Sequence, residues 1–423
     1  MAIRDRILII GNGFDLYHEL PTKYVQFIQV LKNIELLELS DSNEVLFEEI
    51  FQNVEKKNQI IEKYDIKNIV FDRNYIQIIK NIISENKWYN LFRDKLELEN
   101  WIDFENEIKE ALIVLNKVII KTNSFIEKEI SIESINVSHF NIMNVQLQIH
   151  IKEIEYLRKF GIIDKLSNND AIYVFNSDYF EKSNKFLIKF KSEFFFERIF
   201  EELTYFINAF NDYLFKIVGV FYGNLLNPYS ENLIELDTKI DEYYNFNYTP
   251  SLENFYNVKK KVNYLHGRIE IINHNIVLGI DEVHEDLKND KIFMFTKYYQ
   301  KLLNNTDYQF LSNIKINSSK YEDNDKDFII FGHSLADNDQ NYLVELFNIG
   351  KQRQNTITIF FYNLNDKGQK LKNLLKIIGR EDVEFLMKKK RLNFIPIDEK
   401  PFETVFNSLQ KSYHSSWGSS EVI

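Results

Sequence analysis

Apolar residues first cluster in Ile7-Leu8-Ile9-Ile10, a short run without polar interruption that predicts a buried β-strand. The run leads directly into Gly11-Asn12-Gly13-Phe14-Asp15, and a helix-like apolar stretch follows Leu20-Pro21-Thr22. A strand, a glycine turn and a helix N-terminus together favour an anion, because backbone N–H groups converge there and the helix dipole is positive. The pattern predicts a phosphate site for a nucleotide. The alternative is a tight turn whose glycines are only structural.

The next two hundred residues have a helical pattern. The interval between Pro21 and Pro228 contains no proline and only Gly161, Gly219 and Gly223, and so few breakers favour helix. Apolar residues recur at helical spacing in 72–86, 104–125 and 190–221. A strand is predicted within this region at 171–175.

The pattern changes after about residue 240, where short β-type runs alternate with helical patterns. The run Phe328-Ile329-Ile330-Phe331 lacks polar alternation, so we expect both of its faces to be buried, as in a parallel sheet under helices. The predicted strands are residues 243–248, 262–265, 276–280, 328–331, 356–362 and 392–395, and helices are predicted at 341–349 and 367–378. This alternation predicts an α/β fold with a doubly wound, mostly parallel sheet.

The predicted domain organisation is discontinuous. The first strand has little to pair with in a helical neighbour, so we expect it to join the C-terminal strands. The prediction is an α/β domain of residues 1–27 plus 240–405, an inserted, mostly helical domain of residues 28–239, and a tail of residues 406–423.

Composition narrows the classes of function. The 423 residues carry a net charge of −11, which works against broad electrostatic binding of nucleic acid. Cysteine is absent, which excludes disulfides and thiolate zinc sites, and we expect no metal. The N-terminal apolar run is too short for a signal peptide, and no run approaches the ~20 residues of a membrane helix. We therefore expect a cytoplasmic protein that does not bind membranes.

Four segments follow predicted strands and carry residues capable of chemistry. Ligands bind beyond the carboxyl ends of strands in doubly wound sheets, so their shared placement predicts one site. Asp15 could bond a ribose hydroxyl or cap the next helix. His266 could act as a general base or be an ordinary core or surface histidine. The segments are Gly11-Asn12-Gly13-Phe14-Asp15, Asn245-Phe246-Asn247-Tyr248-Thr249, Tyr264-Leu265-His266-Gly267, and Gly332-His333-Ser334 with the following Asp337 and Asp339.

These motifs resemble the AbiH family of bacterial abortive-infection, antiphage proteins. Trp101-x-Asp103-x-Glu105 in the helical region resembles that family less specifically. The resemblance rests on Ile9-Ile10-Gly11-Asn12-Gly13-Phe14-Asp15, Leu20-Pro21-Thr22-x-Tyr24, Phe246-Asn247-Tyr248-Thr249, Leu265-His266-Gly267 and Gly332-His333-Ser334-Leu335-x-Asp337-x-Asp339.

The order of motifs also resembles, more distantly, the sirtuin-like, Rossmann-type NAD-binding domains of bacterial defence proteins. That resemblance implies that Asn247 and His266 are catalytic and that Gly332 and Ser334 contact the adenosine side of NAD. Thr249 stands where that family has aspartate, the opening turn is bulkier, and the missing cysteines argue against deacylation. The cofactor-binding residues implied are Gly11, Asn12, Gly13, Phe14, Asp15, Thr22, Tyr24, Gly332, His333, Ser334 and Asp337.

The leading hypothesis is an abortive-infection effector that hydrolyses NAD at the nicotinamide–ribose bond. We expect an unknown phage trigger, and the helical domain is the candidate for autoinhibition, trigger sensing or homo-oligomer formation. One alternative is a nucleotide-sensing module without catalysis. Another is a nuclease-type toxin that binds Mg²⁺ through clusters of acidic residues. The competing interpretation is that these clusters are solvated surface charges. Their members are Asp281, Glu282, Glu285, Asp286, Asp323, Asp325 and Asp327.

Overall fold

The computed structural model describes residues 4–99, 102–130, 151–165, 173–183, 186–227, 236–281, 290–304, 310–311 and 324–397. The strands are β1 (Arg4–Ile10), β2 (Glu44–Leu46), β3 (Val70–Asp72), β4 (Ile163–Lys165), β5 (Tyr173–Phe175), β6 (Phe180–Ser183), β7 (Phe186–Phe190), β8 (Glu242–Asn245), β9 (Val262–Tyr264), β10 (Asp325–Phe331), β11 (Thr356–Phe361) and β12 (Leu392–Pro396).

The α-helices are α1 (Gly13–Tyr17), α2 (Tyr24–Leu36), α3 (Phe47–Ile50), α4 (Lys57–Lys63), α5 (Arg73–Ile83), α6 (Lys87–Glu99), α7 (Phe104–Ile130), α8 (Ile151–Lys159), α9 (Ser192–Asp212), α10 (Leu236–Lys239), α11 (Ser251–Tyr256), α12 (Lys297–Asn304), α13 (Gln340–Gly350), α14 (Leu364–Ile377) and α15 (Gly379–Lys388). Helix α9 continues through a π-helical turn, Tyr213–Ile217, and a 3₁₀ turn, Val218–Gly223.

Six of the described strands form one parallel sheet in the order β12-β11-β10-β1-β8-β9. Within β1, Ile7 pairs with Glu242 of β8 on one side and with Phe328 of β10 on the other. The first strand of the chain therefore lies at the centre of the sheet, and its predicted pairing with C-terminal strands is confirmed. The order along the chain reverses between β1 and β10.

Alternate residues of β1 enter two different hydrophobic cores, as the two-residue period of a strand requires. Leu8 and Ile10 face a core that includes Phe27 of α2 and Phe206 of α9. Ile7 and Ile9 face a second core with α13, α14 and α15. Helices thus cover both faces of the sheet, which explains why its strands read as continuous apolar runs.

The helical predictions at 72–86, 104–125 and 190–221 are confirmed by α5, α7 and α9 with its extension. Strand β5 covers 173–175 of the strand predicted at 171–175, and the first two residues lie outside the described ones. The helical region shares a core with the sheet. The domain limits stay a prediction, and the tail 406–423 lies outside the described residues.

Four strand predictions after residue 240, at 262–265, 328–331, 356–362 and 392–395, are confirmed as β9 to β12, and α13 and α14 confirm the helices predicted there. The strand predicted at 276–280 is wrong. At Leu278 a side chain takes the place of a neighbouring strand, because the Gln300 amide bonds both its N–H and its carbonyl; Val277 N and Ile280 N donate to the carbonyls of His266 and Phe295. The strand predicted at 243–248 ends at Asn245, whose side chain accepts from Asn247 N and donates to the Thr249 carbonyl, turning the chain away.

The loops that follow β1 and β10 pack so closely that side chains are excluded. A Cβ atom on Gly13 would lie 2.7 Å from the Gly332 Cα, and one on Gly332 would lie 2.2 Å from the Phe14 nitrogen. Gly332 also has a φ of +71°, which L-residues with side chains adopt only with strain. Glycine at these positions is therefore required by the approach of one loop to the other.

We predict that Gly332→Ala lowers the free energy of unfolding by at least ~2 kcal/mol, through backbone strain and overlap. Gly368→Ala is the matched control, because Gly368 lies in exposed α14 with open space around it and should gain ~0.5–1 kcal/mol from helix propensity. Urea unfolding followed by circular dichroism measures both. Equal midpoints for Gly332→Ala and wild type would contradict the loop contact.

Candidate functional site

A cavity of about 800 Å³ opens at the carboxyl edge of the parallel sheet. Its wall combines residues that follow β1, β8, β9 and β10 with residues of the helical region. The predicted site residues in the wall are Gly11, Asn12, Gly13, Asp15, Thr22, Tyr24, Asn247, His266, Gly332, His333 and Ser334.

The other two predicted residues have different surroundings. Phe14 is fully buried and packs edge-on against Phe331, 5.9 Å between ring centroids, beneath the turn. Asp337 pairs with Lys376. The structure instead places the next acidic residue of that motif, Asp339, in the cavity wall.

The glycine turn uses its own backbone N–H groups within the fold. Gly11 N donates to the Phe331 carbonyl (3.1 Å), Gly13 N to the Gly332 carbonyl (2.7 Å) and Phe14 N to the Gly11 carbonyl (2.8 Å). The expectation that the turn's amides converge on a phosphate therefore fails for these three groups. For Gly11 and Gly13 the physical reason is the packing of the β1 loop against the β10 segment, while the Phe14 N–H closes the turn on itself.

Asp15 is a buried carboxyl held by two hydroxyls. Its Oδ2 accepts from Thr249 Oγ1 at 2.5 Å and its Oδ1 from Ser251 Oγ at 2.6 Å. Burial raises the pKa of Asp15 to about 7, although these hydrogen bonds oppose the rise. Asp15 does not cap the next helix, since the N-cap residue of α2 is Lys23. Thr249 thus supplies a hydrogen-bond donor to Asp15. An aspartate at position 249 would place a second carboxylate there, and it would repel that of Asp15.

Asn247 is fixed by contacts at both its backbone and its side chain. Its N–H donates to Asn245 Oδ1 at 2.7 Å, and its Nδ2 donates to the Gly11 carbonyl at 3.0 Å. Thr22 Oγ1 donates to Asn12 Oδ1 at 2.8 Å on the adjoining wall. These bonds join the first turn to the β8 loop and to the segment that precedes α2.

Asp339 lies between two histidines. His333 Nδ1 accepts from Leu335 N at 2.9 Å, so its Nε2 carries the proton and faces Asp339 Oδ2 at 3.2 Å. His266 Nε2 lies 2.9 Å from Asp339 Oδ1 without the alignment of a hydrogen bond. Burial lowers the pKa of His266 to about 4, against the pull of Asp339. Burial disfavours the Asp339 carboxylate too, yet His266 and His333 hold its pKa well below the usual range.

Sequence reasoning missed a buried ion pair in the same wall. Glu105 lies 2.7 Å from Lys297 Nζ, which is also 3.1 Å from Asp281. Burial raises the pKa of Glu105 to about 7, with Lys297 opposing the rise. Burial disfavours the Lys297 ammonium, but Glu105, Asp339 and Asp281 raise its pKa above the ordinary value. The Trp101-x-Asp103-x-Glu105 motif offered a signal for Glu105, whereas Lys297 lies in no recognised motif.

The acidic clusters considered for Mg²⁺ have other contacts where the structure describes them. Asp325 and Asp327 pair with Arg4 at the amino end of β10, opposite the cavity. Asp323, Glu282, Glu285 and Asp286 lie outside the described residues. Within the described ranges, no three His, Asp or Glu side chains form a group suited to a metal ion.

A model of the bacteriophage abortive infection AbiH family matches residues 7–362. This chain belongs to the AbiH family. The match includes the helical region as well as the sheet motifs, and membership indicates an antiphage, abortive-infection role for this AbiH protein. Comparison with curated proteins gave no match, and comparison with solved structures gave none. Among the helices that the structure describes in this AbiH chain, none is long and apolar enough to span a membrane.

The raised pKa of Asp15 predicts a pH-dependent stability. Above about pH 4 an unfolded Asp loses its proton, while the folded chain keeps this one up to about pH 7. Because the folded state binds more protons in this window, stability falls as pH rises. We predict that Asp15→Asn removes a slope of up to ~1.4 kcal/mol per pH unit.

Urea unfolding of wild type and Asp15→Asn at several values between pH 4 and pH 8 measures this slope. Asp337→Asn is the control, because it alters a surface ion pair in the segment that follows β10. Its stability should change with pH as that of wild type does. Parallel curves for wild type and Asp15→Asn would show that the Asp15 carboxyl does not hold the proton.

Proposed function

We propose that this protein binds NAD in the cavity and hydrolyses the bond between nicotinamide and ribose, depleting NAD as an antiphage effector. The observation that carries the proposal is the place of the cavity. When only the six strands of this sheet are numbered in chain order, from 1 for β1 to 6 for β12, the sheet reads 3-2-1-4-5-6 from its β9 edge to its β12 edge. This is the strand order of Rossmann-type dinucleotide-binding sheets. The cavity lies at the carboxyl edge where that order reverses, which is where such sheets hold their ligand.

The size and the charge of the cavity also support a dinucleotide. Its volume of about 800 Å³ falls within the range of roughly 300–1,000 Å³ for small-molecule sites. The Asp339 carboxylate and the Glu105 carboxyl lie in the wall that also carries His266. Glu105 is matched there by the Lys297 ammonium, so Asp339 is the acidic group that would stabilise the cationic nicotinamide ring and the positive charge that develops on the ribose when the bond breaks.

In the proposed reaction, the bond between ribose C1′ and the nicotinamide nitrogen breaks, and its electron pair leaves with neutral nicotinamide. Water adds to C1′ and gives up a proton, which leaves ADP-ribose. His266 would accept that proton, since a pKa of about 4 leaves the imidazole neutral at pH 7. Asp339 would stabilise the imidazolium, as a carboxylate does in hydrolase triads. Asn247 would orient the water.

The second candidate is nucleotide sensing without cleavage. The low pKa of His266 favours it, because a weaker base gives less assistance to proton transfer. Both candidates use the same cavity and the same defence role. In both, the helical region contributes to the cavity wall. It is the candidate for autoinhibition before infection, for sensing of the unknown phage trigger or for homo-oligomer formation.

We predict that His266→Ala lowers the rate of nicotinamide release from NAD by ~10²–10⁴, the usual size of general-base assistance, and that Asn247→Ala lowers it at least tenfold. Chromatography of nicotinamide released by purified protein measures both. His274→Ala is the control, because His274 is a half-buried histidine that bonds Asn208 outside the cavity. It should retain wild-type activity.

The same variants should be compared in cells before and during phage infection. A fall in NAD with wild type and His274→Ala, but not with Asn247→Ala or His266→Ala, supports hydrolysis. Steady NAD with intact protection would reject NAD depletion and favour the sensing module.

A further inference from the structure

The helical region contributes a charged residue to the wall of the nucleotide site. Glu105 lies in the first turn of α7, next to Phe104, whose ring stacks on Tyr24 (4.2 Å between centroids) and Phe92 (4.5 Å). Asp103 Oδ1 accepts from Glu105 N at 3.1 Å and caps the helix start. The aromatic stack and the cap fix the point from which the Glu105 side chain enters the cavity.

Two contacts of Glu105 reach separate segments of the α/β part of the chain. Its Oε2 lies 2.7 Å from Lys297 Nζ, at the start of α12. The same oxygen accepts from Asn338 Nδ2 at 2.5 Å. Asn338 lies in the 3₁₀ turn Asp337–Asp339, so Glu105 contacts the residue directly before the carboxylate that faces His266.

The pair with Lys297 is buried, which makes it costly to break. Only 4% of the Lys297 side chain is exposed to solvent, against 12% of Glu105. Removal of one partner from a buried ion pair is costly, and without Glu105 the Lys297 ammonium would keep only Asp281, 3.1 Å away and 39% exposed, as a close partner. Its position would then depend on the attraction of Asp281 and of Asp339, the carboxylate that also faces His266.

We propose that Glu105 is a positioning residue of the nucleotide site, which holds Lys297 at the cavity wall and, through Asn338, the turn that places Asp339 against His266. The helical region then supplies a residue that the site needs for its geometry, in addition to any regulatory role. This inference rests on the proposed NAD-cleaving function and adds a residue to the same site.

The test uses Glu105→Gln and Glu105→Ala in the full chain, with Glu107→Gln as the matched control. Glu107 is a buried glutamate of the same helix, but it pairs with Lys95 and lies outside the cavity wall. We predict that Glu105→Gln lowers kcat for NAD cleavage at least tenfold and changes KM less than threefold, because the site is misaligned rather than closed. Glu107→Gln should keep the wild-type kcat.

Hydrogen exchange followed by mass spectrometry gives a second measurement that needs no activity. Exchange should accelerate at least twofold in the peptide covering residues 295–301 in both Glu105 variants, and in the peptide covering residues 336–342 in Glu105→Ala, which removes the acceptor for Asn338. Neither peptide should change in Glu107→Gln. If Glu105→Ala fails to fold, Glu105→Gln keeps the shape and an acceptor for Asn338, so it still decides the question.

The two proposals fail in different ways. Absence of NAD cleavage by wild type would reject the proposed function, while the exchange measurement would still decide the role of Glu105. Unchanged exchange in both peptides, or normal kcat in Glu105→Gln, would overturn the positioning role and leave NAD cleavage by wild type intact.

Discussion

The contact between the loops after β1 and β10 determines the geometry of the whole carboxyl edge. Gly13 and Gly332 meet with no space for a Cβ atom, and Gly13 N bonds the Gly332 carbonyl at 2.7 Å. The two loops are brought together because their strands are neighbours at the centre of the sheet. This contact leaves Asp15 beneath the loop after β1 and His333 on the loop after β10. The positions of these acidic and basic groups of the site therefore depend on the contact between the loops.

Much of this arrangement could be predicted from the sequence because it depends on local patterns. Phe328–Phe331 has no polar alternation, so burial on both faces followed directly, and with it a parallel sheet. The place of Asn247, His266 and Ser334 followed from one rule, that they come after strands whose carboxyl ends share an edge. The AbiH relationship followed from the same segments and is supported by the match over residues 7–362.

The features that could not be predicted depend on contacts between distant parts of the chain. Gln300 replaces a neighbouring strand for residues near Leu278 through a single amide, and apolar periodicity carries no information about such a bond. Asn245 ends β8 by bonding its own next residues, in a segment that has strand-like composition. From its sequence, the glycine turn could equally be a phosphate-binding turn or a turn that packs against another loop. Only the close approach of Gly332 distinguishes the two.

The distribution of buried charge gives the strongest physical argument for function at this edge. At the amino end of β10, Arg4 pairs with Asp325 and Asp327, and 24% of the Arg4 side chain is exposed to solvent although Asp327 is buried. At the carboxyl end, the cavity wall holds Asp15 and Lys297, which are buried, and Glu105 and Asp339, with 12% of each side chain exposed. Burying ion pairs is often no more stabilising than apolar packing of the same volume, so folding alone gives little reason for this cluster. Strongly shifted ionisable groups in a cleft are typical of sites that bind or transform a ligand. The cluster joins residues of the helical region to residues of the sheet, so any movement between the two would alter the charge around His266.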